Sequence, residues 1–422
     1  MLDIKEIRKN PAEFKKSLKR KGIDPKRIDE LLKLDESKLN LLQHIEDASA
    51  KQNEVSKLIP SLKGKEKEKL LAEMKVISKN KKEQEILLEE AVRVFGEALD
   101  LFPNTPLESA SEGKTETDNV VIRTVGKKPK FDFTPKEHSE LAEKLGILDT
   151  KRSAKVSGAR FYYLRNELAT LQRALIFWAF REVTKKGFLP MIPPFLTKEK
   201  AIKGTGYFAH DENYRLDLGE EESLFLIGTS EVPMISFYDN EILEEKDVPQ
   251  KFVSYSPCFR REAGSYGKDT KGIFRVHQFE KVEMIVFCLP EQSEKIHEEI
   301  LKAEEDLMKQ LGLHYQVVNV CCGDLGISAA KKYDLEAWLP GQDRYREMTS
   351  TSNCTDYQTR RLDVRIRRKN GEIVTAHTIN GTAVSSRPLI AILENFQRKD
   401  GSVDIPKVLQ PLCGFKRIEA KK

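Results

Sequence analysis

Up to about residue 102 the apolar residues recur at helical spacing, and β-prone clusters are nearly absent. Pro11, following Asn10, predicts the start of a short helix, since proline is favoured in the first helical turn. From about Asp29 to Leu58 a heptad stripe runs through Leu34, Leu41, Ala48 and Val55, with Leu31, Ile45 and Ile59 offset from it. Pro60 and Gly64 break the pattern. A second stripe then places Met74, Leu88 and Phe95 on one seam and Ile77, Ala91 and Ala98 on the other, while Lys38, Gln52, Lys81 and Gln84 interrupt the seams. Two long helices with a break between them predict an antiparallel coiled-coil hairpin, an arm of roughly 45 Å at 1.5 Å per residue.

Residues 103–119 form a Pro-, Ser- and Gly-containing connector, which predicts a boundary between domains 1–105 and 106–422. Beyond it, β-prone runs mix with helical stretches. A helix around Leu164–Lys185 carries Phe177, Trp178 and Phe180, simplest as packing groups, and residues 291–312 read as a scaffold helix. Val317–Leu325 reads as a strand and turn. Arg360, Arg361, Arg365, Arg367 and Arg368 fall on a strand-like stretch whose alternation splits them between faces. In Thr378–Gln397 a polar turn leads into an apolar helix, with Arg387 at its start and Pro388 just after.

The chemistry concentrates in Tyr255–Glu283. Two β-prone runs flank a loop containing Gly264, Gly267 and Gly272, which predicts a long-looped hairpin. Alternation puts Arg260 with Glu262 on one strand, and Arg275, His277, Phe279, Lys281 and Glu283 on one face of the other. A guanidinium suits a phosphate, a ring a base, and a carboxylate an ammonium group. The same alternation also fits a solvated hairpin with surface charge pairs. Thr229, Ser230 and Glu231 sit at a strand-to-turn junction, where Thr229 and Glu231 share a face if the chain stays extended. Oxygen-bearing residues crowd Glu347–Asp356, a composition suited to a hard cation and equally to a polar loop.

Net charge narrows the partners little: 72 basic against 67 acidic residues give only +5, so a nucleic acid would have to be met by a local patch. One exists. Between Lys57 and Lys82 nine lysines face three glutamates, at the tip of the predicted arm. The six cysteines form no CxxC pair, so reduced thiols are expected and zinc is not. The N-terminus resembles neither a signal nor a transit peptide, and no apolar run reaches membrane-spanning length. These features predict a soluble cytoplasmic protein without a membrane partner.

FRRE, the glycine-containing loop and FRVHQFEKVE together resemble motif 2 of the class II aminoacyl-tRNA synthetases, and HQFEKVE resembles the seryl-tRNA synthetases in particular. Gly187–Leu196 resembles motif 1, and Asn380–Arg387 with its helix resembles motif 3. The motif 3 segment NGTAVSSR is one residue shorter than the family's common form, with Thr382 in place of serine, which puts the path of residues 381–387 in question. The resemblance runs nearly end to end. It implies an α+β protein: an N-terminal antiparallel coiled-coil hairpin, then a class II synthetase-type antiparallel β-sheet catalytic domain flanked by helices.

It also implies roles. ATP and serine would form seryl-adenylate, and a tRNA with a long variable arm would take the seryl group; a selenocysteine tRNA is left open as a second acceptor. Arg260 and Arg387 are the expected catalytic residues. ATP is expected at Arg260, Arg261, Glu262, Arg275, Phe279, Glu347, Met348, Thr349, Ser350 and Arg387, with Phe279 and Arg387 about the adenine. Serine is expected at Thr229, Ser230, Glu231, Arg260, Glu283, Asn380 and Thr382. Mg²⁺ would be held by Glu347 and Ser350, tRNA by Lys63, Lys65, Lys67 and Lys69, and the chain would act as a homodimer. A class II relative charging another acceptor would not need the basic arm. A non-catalytic paralogue would be expected to lose Arg260, Glu262 or Arg387, and all three are present.

Overall fold

A computed structural model describes residues 2–207, 213–217, 219, 223–263 and 272–420. Gly264 and Gly267 of the predicted hairpin loop lie outside the described residues. The chain divides into two compact units, Met1–Thr105 and Pro106–Lys422.

In the first unit, helices α1 (Lys26–Leu58) and α2 (Lys65–Asp100) form the arm. At about 1.5 Å per residue each runs about 50 Å. The predicted seam positions are the shielded ones. Leu34, Leu41, Ile45 and Ala48 are half-buried and Val55 is buried, and they face a matching series including Met74, Ile77, Leu88 and Ala91. The polar residues Lys38, Gln52, Lys81 and Gln84 occupy seam positions too, half-buried like their neighbours. Lys38 shows how: its Nζ lies 2.9 Å from Asp35 and 3.7 Å from the centre of the Phe95 ring, so its stem is covered while its charge is met. Two short helices, Ile4–Lys9 and Pro11–Arg20, close the base of the arm over a core that includes Ile7, Leu18, Ile28, Leu31, Phe95 and Leu99. The second was expected from Asn10-Pro11; the first was not, being only 6 residues long.

The second unit is built on an eight-stranded sheet. In chain order its strands are β1 (Val120–Val125), β2 (Leu189–Met191), β3 (Gln250–Phe259), β4 (Gln278–Cys288), β5 (Tyr315–Asn319), β6 (Lys331–Leu339), β7 (Arg344–Thr355) and β8 (His377–Ser385). They lie side by side as β1-β5-β6-β7-β8-β4-β3-β2, antiparallel except that the edge strand β2 runs parallel to β3. Helices α3 (Asn166–Lys185), α4 (Ser293–Leu311) and α5 (Arg387–Asn395) supply apolar faces to one large core. Trp178 is buried in it while Phe177 stays 54% exposed, so only part of the aromatic cluster on α3 packs inward.

Two local expectations change. Arg360 and Arg361 belong to a short helix, Thr359–Leu362, and only Arg365 and Arg367 sit on a strand. The shortened segment after Asn380 is not a loop: residues through Ser385 continue β8 in register with β4, with a bulge where Val282 pairs Val384 and Glu283 pairs Thr382.

Candidate active site

The neighbouring strands β4, β8 and β7, the segments 260–262 and 273–276 and the start of α5 frame one cleft. Arg260, Glu262, Arg275, Phe279, Glu347, Ser350, Thr382 and Arg387 all border it. The hairpin's strands are shorter than the alternation implied. β3 ends at Phe259 and β4 begins at Gln278, so Arg260, Glu262 and Arg275 reach the cleft from outside the regular ladder. Glu262 adopts a left-handed φ of 51°, and its carboxylate meets Arg275 Nη1 at 2.6 Å. His277 turns away, its Nδ1 2.9 Å from the Arg260 carbonyl.

Arg260 is anchored by its Nε donating to the Gly228 carbonyl at 3.2 Å, with its guanidinium 5.3 Å from the Phe279 ring. Burial alone would lower its pKa, but Tyr207, Cys258, Glu262 and Glu347 around it raise it, so the positive charge is secure. Arg387 Nη1 lies 3.0 Å from the Glu347 carboxylate. Burial pushes Glu347 up, but Arg387, Lys332 and Arg260 together hold it well below the usual carboxylate range. Arg387 faces Phe274 at 4.8 Å, and Arg346 faces the same ring at 3.6 Å. Phe279 thus stacks with Arg260 and Phe274 with Arg387, and both Phe279 and Arg387 border the cleft where the adenine was expected.

Met348 and Thr349 border the cleft but bury their side chains. A register shift between β6 and β7, where Glu336 pairs Glu347 and Leu335 pairs Thr349, turns them to the core side. Arg261 is exposed and does not border the cleft. The serine-site candidates are deeper. Glu283 accepts from Thr382 Oγ1 at 3.1 Å and meets Lys281 Nζ at 2.8 Å; burial raises its pKa and Lys281 opposes that. Asn380 donates to Glu231 at 2.9 Å. The chain does not stay extended at Thr229–Glu231. A short helix begins at Glu231, whose N–H donates to Thr229 Oγ1, and Ser230 is fully buried against Ser254 at 2.6 Å.

Sequence reasoning passed over Lys281, Phe274 and Glu304. Lys281 shared the predicted face with Phe279 and Glu283, so alternation could have nominated it. Glu304 looked like scaffold on α4, yet it is fully buried with Oε2 accepting from Thr349 Oγ1 at 3.3 Å. In the arm, Lys63, Lys65 and Lys69 are exposed and Lys67 is half-buried. All four cluster at the turn and the start of α2, and among the described residues none is ion-paired. All six cysteines are buried, and none is in a disulfide.

An antiparallel sheet with this cleft defines a class II aminoacyl-tRNA synthetase core, and residues 214–396 match the model of the tRNA synthetase class II core domain (G, H, P, S and T). Residues 1–106 match the seryl-tRNA synthetase N-terminal domain. The chain is 42% identical to a serine--tRNA ligase of Corynebacterium diphtheriae, over 100% of both chains. Among solved structures it resembles seryl-tRNA synthetase from Pyrococcus horikoshii complexed with ATP (43% identity, TM-score 0.92, 100% of both chains). It also resembles the cytoplasmic serine-tRNA ligase of Naegleria fowleri in complex with AMP (32%, TM-score 0.87, 100% and 99%). The chain belongs to the seryl-tRNA synthetase family. It joins serine to tRNA with ATP as the energy source, through the adenylate general to that family.

Proposed function

We propose that the cleft is where serine is activated, with the residues acting as follows. The observation that carries this reading is the convergence of Arg260, Arg275 and Arg387 with Phe279 and two carboxylates on one cleft. The serine carboxylate attacks the α-phosphorus of ATP, the bond to pyrophosphate breaks, and seryl-adenylate remains. A terminal ribose hydroxyl of tRNA then attacks the acyl carbon, and AMP leaves. No protein nucleophile is needed; the chain positions groups and stabilises developing charge. Arg260 meets the α-phosphate, Arg275 and Arg387 the distal phosphates, and Phe279 the base. Glu231 and Glu283 take the serine ammonium, with Thr229, Asn380 and Thr382 beside the substrate.

Among the described residues no three His, Cys, Asp or Glu side chains form a metal cluster. Glu347, held ionised, and the Ser350 hydroxyl are nonetheless oxygen donors on the cleft wall, fit for a hard cation that takes its other ligands from phosphates and water. Bound there, Mg²⁺ would neutralise phosphate charge.

The lysines at the turn of the arm serve as phosphate contacts for the long variable arm of tRNA. A homodimer is supported by exposed apolar groups near the β2 edge: Leu189 at 55% and Ile192 at 69%, with Phe177 on α3. Serine-dependent ATP–pyrophosphate exchange, run beside threonine, glycine and alanine, tests the site. Exchange with serine alone is expected, and exchange with none of the four overturns the reading.

A further inference from the structure

Three side chains converge on the buried Glu231 carboxylate. Its Oε1 accepts from Gln358 Nε2 at 2.7 Å and Asn380 Nδ2 at 2.9 Å, and its Oε2 accepts from the Tyr207 hydroxyl at 2.8 Å. The orientation of the Gln358 amide follows from its other partners. Nε2 also donates to the Thr205 carbonyl at 3.1 Å, and Oε1 accepts from Thr378 Oγ1 at 2.8 Å. Tyr207 keeps its proton, since burial and then Glu231 raise its pKa well above the ordinary phenol value.

Two features separate this arrangement from an ordinary buried carboxylate. Among the described residues no Lys, Arg or His forms an ion pair with Glu231, whereas Glu283 has Lys281 at 2.8 Å. A 4% exposed carboxylate held only by neutral donors has its cation-binding position still open, the geometry of a site for a substrate cation. A carboxylate also offers about four acceptor positions, and three are filled.

We propose that Tyr207 and Gln358 are positioning residues for amino-acid recognition. They hold Glu231 so that its remaining acceptor position meets the substrate ammonium. This rests on the reading of Glu231 as an ammonium acceptor. Tyr207 follows the helix Glu199–Thr205, Gln358 precedes the helix Thr359–Leu362, and Thr378 and Asn380 lie on β8, so three separate segments converge on one side chain.

The test is exchange kinetics of Tyr207→Phe and Gln358→Met, with serine and ATP varied independently. Losing a donor to a charged group predicts a serine KM raised roughly tenfold or more, with the ATP KM within about twofold of the parent. Inhibition by 3-hydroxypropionate, which lacks the ammonium, should be unchanged in Tyr207→Phe. An unchanged serine KM in both variants overturns the proposal. So does a parallel rise in both KM values with weaker 3-hydroxypropionate binding, which marks a merely structural role. Glu231→Gln separates the two layers. If it raises the serine KM while the other variants do not, only the positioning proposal falls; if it too leaves serine unaffected, the assignment of Glu231 falls.

Discussion

The Arg387 guanidinium lies 3.0 Å from the Glu347 carboxylate, joining the first residue of α5 to strand β7 at the wall of the cleft. Arg387 is the nearest of the cations that keep Glu347 ionised at any working pH. Arg387→Ala therefore removes the charge proposed to meet the distal phosphates and lets burial push Glu347 upward against Lys332 and Arg260 alone. Exchange should fall roughly 100-fold, as when one preorganised charge-stabilising group is lost. The acidic limb of the variant should also lie at higher pH than that of the parent. The pH profile of kcat/KM for ATP reads both.

Glu347 and Ser350 offer too few oxygens to hold a cation without substrate, so Mg²⁺ should bind with ATP rather than ahead of it. Chelation should abolish exchange, and Ser350→Ala should raise the Mg²⁺ needed for half-maximal rate roughly tenfold, the scale of a lost supporting group. Titrating Mg²⁺ at saturating ATP checks it.

Glu304 sits behind the cleft wall with Oε1 meeting no hydrogen-bond partner among the described residues, and burial, followed by repulsion from Glu283, raises its pKa well above the usual value. Gly381 makes room for it: a Cβ there would come 2.8 Å from Glu304 Oε1 and 2.4 Å from Ile300. A folded-state pKa above the unfolded one means the folded chain binds the extra proton. Stability from this group is complete below about pH 4 and declines as pH rises through the folded value. Glu304→Gln removes that dependence, so the Tm difference between variant and parent should grow in favour of the variant from pH 5 to pH 9. Thermal melts across that range decide it.

Much of the fold and the cleft is legible in the sequence. Heptad spacing locates the arm because helix–helix seams impose a period on the sequence, and Lys38 looks like a fault there only because its stem and charge have different partners. Motif order locates Arg260, Phe279, Glu347 and Arg387, which the fold brings to one cleft from a strand end, two strands and a helix start. What stays hidden depends on register. The bulge that turns Met348 and Thr349 inward and the helical turn at Glu231 shift side chains between faces without a compositional mark. Tyr207, Gln358 and Glu304 come from segments distant in sequence from the carboxylates and hydroxyls they meet, and no local pattern announces such contacts.

The cluster Lys63, Lys65, Lys67 and Lys69 is not ion-paired among the described residues, although Lys51, Lys79 and Lys81 nearby each have a glutamate within 4 Å. Unpaired cations at a helix turn contribute little to folding, so their charge is available to a phosphate backbone. Changing all four to Glu should leave serine-dependent exchange within about twofold, since adenylation needs no tRNA, while the KM for tRNA in aminoacylation rises at least tenfold. The salt dependence of tRNA binding should flatten as well, by roughly 0.7–0.9 in log–log slope for each phosphate that is no longer neutralised. A fall in exchange together with charging would instead mark damage to the fold, and an unchanged tRNA KM would remove these lysines from the tRNA interface.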